Sequence, residues 1–185
     1  MAEETKQVGM KIFLVGLMGS GKSYWTKQLA KKYKTGGYDL DYLVEVREEK
    51  TIAEIFTEDG EDYFRKVEST VLKWFAEKKT YVLATGGGAP CFFDNMAWMN
   101  KQGVTIWLDE PLPAIAARLA PEKEHRPLIA KLSDSELLAF LEKQKFFCLD
   151  LGYRRYQPAP VIKDMQYQIN YLKKFGVKAY IYEVP

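Results

Sequence analysis

The sequence of 185 residues predicts an α/β domain with a mainly parallel sheet, and three observations carry that prediction. Short apolar runs at residues 10–15, 81–84 and 104–108 have the length and composition of buried strands. Helical periodicity fills the intervals, most clearly over 61–78, where Phe64, Val67, Val71, Leu72 and Phe75 recur on one face. Glycine-rich or acidic segments follow the strand ends: Gly16 to Ser23, Asp39 with Asp41, and Gly86, Gly87 and Gly88. In open parallel sheets ligands sit beyond the carboxyl ends of the strands, so these segments are expected to meet at one edge.

The elements follow in order. Residues 10–15 form the first strand, stopped by Gly16, and a helix opens at Gly21, Lys22 and Ser23. It continues over 24–33 with Trp25, Leu29 and Ala30 on one side. Thr35, Gly36 and Gly37 read as a turn, 38–41 as a very short strand end, and 40–47 as helix. Thr51 caps a helix over 52–56 with Glu54 in its first turn, and Asp59-Gly60 breaks it ahead of the long helix over 61–78. The strand over 81–84 runs into Thr85 and three glycines. A helix over 93–100 carries two methionines and Trp98, read as core. After the strand over 104–108, Pro111 suits the first turn of a helix reaching Leu119. Residues 121–127 read as a charged loop, and Ser133 with Glu136 forms a capping box for a helix to about Leu149. A last strand over 161–163, a closing helix over 167–175 and a β-prone tail over 178–184 complete the chain.

A chain of this length is expected to be one domain. The formal charge of +2 leaves no broad basic face for nucleic acid. No apolar run reaches the length of a membrane span, and the polar start MAEETKQVG predicts no secretory signal. Cys91 and Cys148 lie far apart and His125 is the only histidine, which argues against a zinc site or a disulfide framework and fits a reducing cytoplasm.

The strand, glycine loop and helix around GLMGSGKS match the P-loop pattern G-x-x-x-x-G-K-S at Gly16, Gly21, Lys22 and Ser23. Gly16, Gly19 and Gly21 let backbone N–H groups approach phosphate oxygens at a positive helix end. Lys22 can reach the β- and γ-phosphates, and Ser23 can offer a hydroxyl to Mg²⁺. Asp39 and Asp41, one residue apart, point the same way if extended. Asp39 then suits Mg²⁺ through its waters, and Asp41 suits either a substrate hydroxyl or the cap of the next helix. Asp109, at the end of an apolar strand, imitates a Walker-B carboxylate or serves as a helix N-cap. Arg65 and Glu68 lie three apart and read either as a surface pair or as a carboxylate clamp built on Arg65. Gly86, Gly87 and Gly88 suit either a tight turn or a ligand against bare backbone, and Arg126 either solvated charge or a mobile arginine closing on phosphates.

Taken in order, the P-loop, Asp39-Leu40-Asp41, Asp59-Gly60-Glu61 with Phe64-Arg65 and Glu68, the triple glycine, and Arg126-Pro127-Leu128 resemble the shikimate kinase family over residues 10–163. The resemblance implies a three-layer P-loop fold, a five-stranded parallel sheet of order 2-3-1-4-5, and a single domain over 1–185. It also implies a mobile lid near 121–132 and a substrate-binding helical region near 41–70. The implied reaction is ATP-dependent phosphorylation of the 3-hydroxyl of shikimate, a step toward chorismate and the aromatic amino acids. The implied setting is a cytoplasmic monomer acting on small molecules. Lys22, Asp41 and Arg126 are then catalytic, and Ser23 and Asp39 serve Mg²⁺. Gly19, Ser20, Gly21, Lys22, Ser23, Tyr24, Arg118 and Arg126 bind ATP, with Arg118 on the adenine. Asp41, Arg65, Gly86, Gly87, Gly88 and Arg155 hold shikimate. The family's second carboxylate-binding arginine falls at Gly152 when Tyr156 and Ala159 are matched to its motif, so Arg155, one turn on, is the expected substitute, with Arg154 beside it. Another small hydroxy acid or polyol as acceptor, or a nucleotide-binding regulator without turnover, are the competing readings. The intact Lys22, Ser23, Asp39 and Asp41 argue against the regulator.

Overall fold

The computed structural model describes residues 10–126, 128–148, 173–174 and 179–182. Strand β1 (Lys11–Val15) is the centre of the sheet. Ile12, Phe13, Leu14 and Val15 are all buried, as a strand covered on both faces requires. It pairs in parallel with β3 (Tyr81–Ala84) on one side and β4 (Val104–Leu108) on the other. β2 (Gly36–Asp39) pairs in parallel with β3. The register sets Leu14 beside Ala84 and Ala84 beside Asp39, so the strands carrying the glycine loop, the aspartates and the triple glycine end at one edge.

Alternate side chains serve two cores. Ile12, Leu14, Val82, Ile106 and Leu108 pack with Trp25, Leu29 and Ala30 of α1 (Lys22–Tyr33). Phe13, Val15, Tyr81, Leu83 and Trp107 face the opposite layer. That layer draws on α2 (Leu40–Glu48), α3 (Ile52–Glu58), α4 (Glu61–Lys73), α5 (Asn95–Gln102), α6 (Leu112–Leu119) and α7 (Asp134–Cys148). The three layers and the order β2-β3-β1-β4 agree with expectation.

The fifth strand departs from it. β5 (Ala179–Tyr182) comes from the β-prone tail and runs antiparallel to β4, with Ala179 beside Leu108 and Tyr182 beside Thr105. A strand added at an open edge satisfies the edge groups in either direction. The strand expected over 161–163 lies outside the described residues, as does the helix over 167–175 except for Lys173 and Lys174.

Smaller differences have local causes. Gly36 and Gly37, read as a turn, pair with Tyr81 and Val82, and the bare backbone at Gly37 admits Ala30 of α1, to which a Cβ would stand 2.9 Å away. The helix over 61–78 tightens into a 3₁₀ turn at Trp74–Glu77, a common helix ending. Phe93 has φ of 51°, which no helix accepts, so α5 starts at Asn95 after a 3₁₀ turn at Ala89–Cys91. The charged loop over 121–127 contains a 3₁₀ helix at Ala120–His125. Both capping boxes form. The Thr51 side chain accepts from the Glu54 amide, and Glu54 accepts from the Thr51 amide at 2.7 Å. Glu136 accepts from the Ser133 amide at 2.7 Å.

The Thr51 box starts α3, whose Ile52 and Phe56 line the main cavity. Thr51→Ala is expected to lower stability by about 1 kcal/mol, read as a thermal midpoint shift of about 2–4 °C. An unchanged midpoint would remove the box as a contributor.

Candidate active site

The glycine loop is built by backbone conformations that glycine tolerates. Gly16, Gly19 and Gly21 have φ of 148°, 74° and 89°. A Cβ on Gly16 would stand 2.8 Å from the Leu108 carbonyl. Gly21 precedes α1 without any side-chain cap, so the first-turn N–H groups stay available to an anion. Lys22 is buried and folds back across the loop, its Nζ donating to the Gly16 and Leu17 carbonyls at 2.9 and 2.8 Å. Ser20 is buried inside the loop, whereas Tyr24 is exposed with its ring edge-on to Trp25.

Asp39 joins this loop to the next segment. Its Oδ2 accepts from the Ser23 hydroxyl at 2.5 Å and its Oδ1 from the Asp41 amide at 3.1 Å. Asp39 is therefore the N-cap of α2, the role weighed above for Asp41. Asp41 sits in the first turn of α2 instead of in an extended segment, and its carboxylate is left to the cavity. That cavity, about 630 Å³, is walled by α2, α3, α4, the triple glycine and α7, with Leu17 and Met18 at the loop end. The surrounding protein, then the nearby Asp39 charge, push the Asp41 carboxyl up to about 6, against the pull of Lys22 and Arg65.

Arg65 is no surface charge; it is 7% exposed, and Glu68 beside it is 0% exposed. Its Nη1 donates to Glu68 at 2.9 Å, and its Nη2 and Nε donate to Glu61 at 3.0 and 3.2 Å. The Phe92 and Phe64 rings lie 4.4 and 4.9 Å from the guanidinium carbon. Each terminal nitrogen keeps a second N–H while the group lines the cavity. The triple glycine makes room for these charges. A Cβ on Gly88 would stand 2.9 Å from Arg65 Nη2, and one on Gly86 would meet the Glu68 and Asp41 carboxylates. Glu68 Oε1 has no hydrogen-bond partner among the described residues. Burial pushes the Glu68 carboxyl up to about 7; Arg65 pulls it back only in part, and Asp41 raises it further.

Two more arginines approach from the other side. Arg118 Nη1 donates to the Gly19 carbonyl at 3.2 Å, with its Nη2 held by buried Glu110 at 2.7 Å. Arg126 lines the cavity, paired with Glu122 at 3.2 Å. Asp109 does not cap α6, which has no side-chain cap; it accepts from Lys145 of α7 at 2.5 Å. Arg154, Arg155 and Pro127 lie outside the described residues. Among the described residues no cluster of three or more histidine, cysteine or acidic side chains could hold a metal, and no helix is long and apolar enough to cross a membrane.

The family model described as Shikimate kinase matches residues 18–155. The chain belongs to the shikimate kinase family. A shikimate kinase of Phocaeicola vulgatus is 44% identical over 131 residues, 71% of this chain and 75% of that relative. One from Bacteroides fragilis is 42% identical over 148 residues, 78% and 83% of the two chains. The crystal structure of shikimate kinase from Bacteroides thetaiotaomicron superposes with a TM-score of 0.75 at 34% identity, covering 90% of this chain and 97% of that one. Shikimate kinase from Acinetobacter baumannii, solved in complex with shikimate, gives 0.72 at 28% identity, covering 90% and 94%. Within this family member, the cavity walls contributed by Glu45, Phe92, Glu122, Phe140, Lys143 and Gln144 were not singled out from sequence. Phe140, Lys143 and Gln144 do share helical spacing, the one signal that could have grouped them.

Glu68 binds its proton more tightly in the folded state, about 7 against an ordinary 4.5, so its contribution to stability falls as pH rises through that window and levels above it. The thermal midpoint is expected to decline between about pH 4.5 and 7, and Glu68→Gln is expected to flatten that decline. An equally steep decline in the variant would assign it to other groups.

Proposed function

We propose that this chain transfers the γ-phosphoryl group of ATP to the 3-hydroxyl of shikimate, forming shikimate 3-phosphate and ADP. The observation that carries the reading is the shared cavity in which Asp41 and the buried Arg65 line the wall opened by Gly86, Gly87 and Gly88, with the glycine loop at its end. Family membership and the shikimate complex of the Acinetobacter baumannii neighbour support the choice of acceptor.

The loop N–H groups and Lys22 would hold the β- and γ-phosphates. Gly19, Ser20, Gly21, Ser23 and Tyr24 would complete the nucleotide site, with Arg118 beside the adenine. The adjacent Ser23 hydroxyl and Asp39 carboxylate fit a Mg²⁺ ion, which favours oxygen donors and needs few protein ligands. When bound, Mg²⁺ supplies charge neutralisation at the phosphates. Arg65 would take the acceptor's carboxylate with its unused N–H groups, and the triple glycine would bring backbone against the ring hydroxyls. Asp41 would orient the 3-hydroxyl and accept its proton as the new P–O bond forms and ADP leaves. Arg126 would bring positive charge to the phosphates from the lid. Arg155 would assist at the carboxylate. The chain is read as a cytoplasmic monomer.

An assay coupling ADP release to shikimate, ATP and Mg²⁺ tests the function directly; shikimate-independent ATP binding without turnover would overturn it. Asp41→Asn is expected to lower kcat by about 10²-fold or more, while shikimate binding survives. Because the ionised carboxylate accepts the proton, kcat/KM should rise as pH increases through about 6 and level above. Arg65→Ala should raise the shikimate KM by about tenfold or more and leave the ATP KM near its original value. A wild-type shikimate KM in that variant would dismiss the clamp.

A further inference from the structure

Helix α6 meets the glycine loop along one side. Ile115, Arg118 and Leu119 fall at i, i+3 and i+4 of that helix. A Cβ on Gly19 would stand 3.0 Å from Leu119 Cγ and 3.2 Å from Ile115 Cγ2, so the loop lies directly on these two side chains. Arg118, on the same side, donates from Nη1 to the Gly19 carbonyl at 3.2 Å. The other end of that peptide unit is engaged as well, because the Ser20 amide donates to the Leu17 carbonyl at 3.2 Å. A planar peptide held at both its C=O and its N–H has little freedom to turn. The Leu17 carbonyl also accepts from Lys22 Nζ at 2.8 Å, so the lysine of the loop belongs to the same chain of bonds.

Arg118 is half-exposed, and a long side chain gives up much rotamer freedom when it is fixed on one carbonyl. Glu110 supplies the constraint that fixes it. It sits between β4 and α6, is 8% exposed, and accepts from Arg118 Nη2 at 2.7 Å. A hydrogen bond between two charged groups is among the stronger ones, and a buried carboxylate keeps its charge cheaply only beside such a partner. We propose that Glu110 is a positioning residue of the nucleotide site: acting through Arg118, it holds the Gly19–Ser20 peptide and keeps the loop ready for a triphosphate before one binds. The assignment rests on the nucleotide-binding reading of the loop. The N–H groups that Arg118 uses lie in the guanidinium plane, which leaves its faces to a ring such as adenine.

Two measurements on the full chain test it: amide hydrogen exchange without ligand, and steady-state kinetics with ATP, Mg²⁺ and shikimate. Glu110→Ala should speed exchange over residues 16–23 by about fivefold or more and leave residues 81–84 of β3 unchanged. The ATP KM should rise by about the same factor, because fewer molecules hold a competent loop. The kcat and the shikimate KM should stay within about twofold. Glu110→Gln keeps the size of the side chain and an acceptor for Arg118, so it should fold and move both readouts the same way by about twofold. Arg118→Ala should lose at least as much as Glu110→Ala, and adding Glu110→Ala to it should change neither readout by more than about twofold. Wild-type loop exchange and ATP KM in both Glu110 variants would overturn the assignment. Faster exchange spread evenly over the sheet would overturn it too, since Glu110 would then serve the fold as a whole. Losses that multiply in the double variant would overturn the route through Arg118. A wild-type chain that binds no ATP would overturn the kinase reading and this assignment together, whatever the exchange shows.

Discussion

Asp39 gives one carboxylate oxygen to the Ser23 hydroxyl and the other to the Asp41 amide, and the site is arranged around that double engagement. The first bond ties the start of α1 to the end of β2 at the mouth of the glycine loop. The second starts α2, which fixes where Asp41 enters the cavity. A single side chain thus sets the spacing between the phosphate cradle and the carboxylate proposed to receive the acceptor's proton. Its own position follows from the sheet, because Asp39 is held in register with Ala84 and, through it, with Leu14 of the central strand.

On the other side of the cavity the organising constraint is volume. Arg65 and Glu68 are buried side by side and held by close pairing, with Glu68 Oε1 left without a partner among the described residues. The Phe64 and Phe92 rings lie against the guanidinium, and the triple glycine leaves the space that side chains at Gly86 and Gly88 would fill. Burial raises the Glu68 carboxyl, and the surrounding protein together with the Asp39 charge raises that of Asp41. Both acids and the arginine form one electrostatic unit, so a change at any of them alters the others.

Much of this was legible in the sequence because it is encoded locally. The glycine loop has fixed spacing, the buried strands are continuous apolar runs, and both capping boxes are read from residues three apart. The depth of Arg65 was not legible, since a spacing of three describes a surface pair and a buried pair equally well. The division of labour between Asp39 and Asp41 depended on where the helix begins, which hydrogen bonding decides and composition does not. Asp109 looked like a cap or a metal carboxylate, but its partner Lys145 lies 36 residues away. The antiparallel course of β5 was equally hidden, because edge pairing leaves no directional mark in a short β-prone segment.

The central position of β1 has a consequence for how the protein is made. Lys11 is matched to Tyr81 and Ile12 to Val104, so the strand that carries the glycine loop finds both neighbours only far along the chain. Such non-local closure is slow compared with the formation of the helices between. Until β4 has docked, Gly16 lacks the Leu108 carbonyl against which it is packed, and the loop is only a flexible glycine-rich segment. Phosphate affinity is therefore a late property of the folding chain: a nucleotide captured by this protein reports that the sheet has already closed.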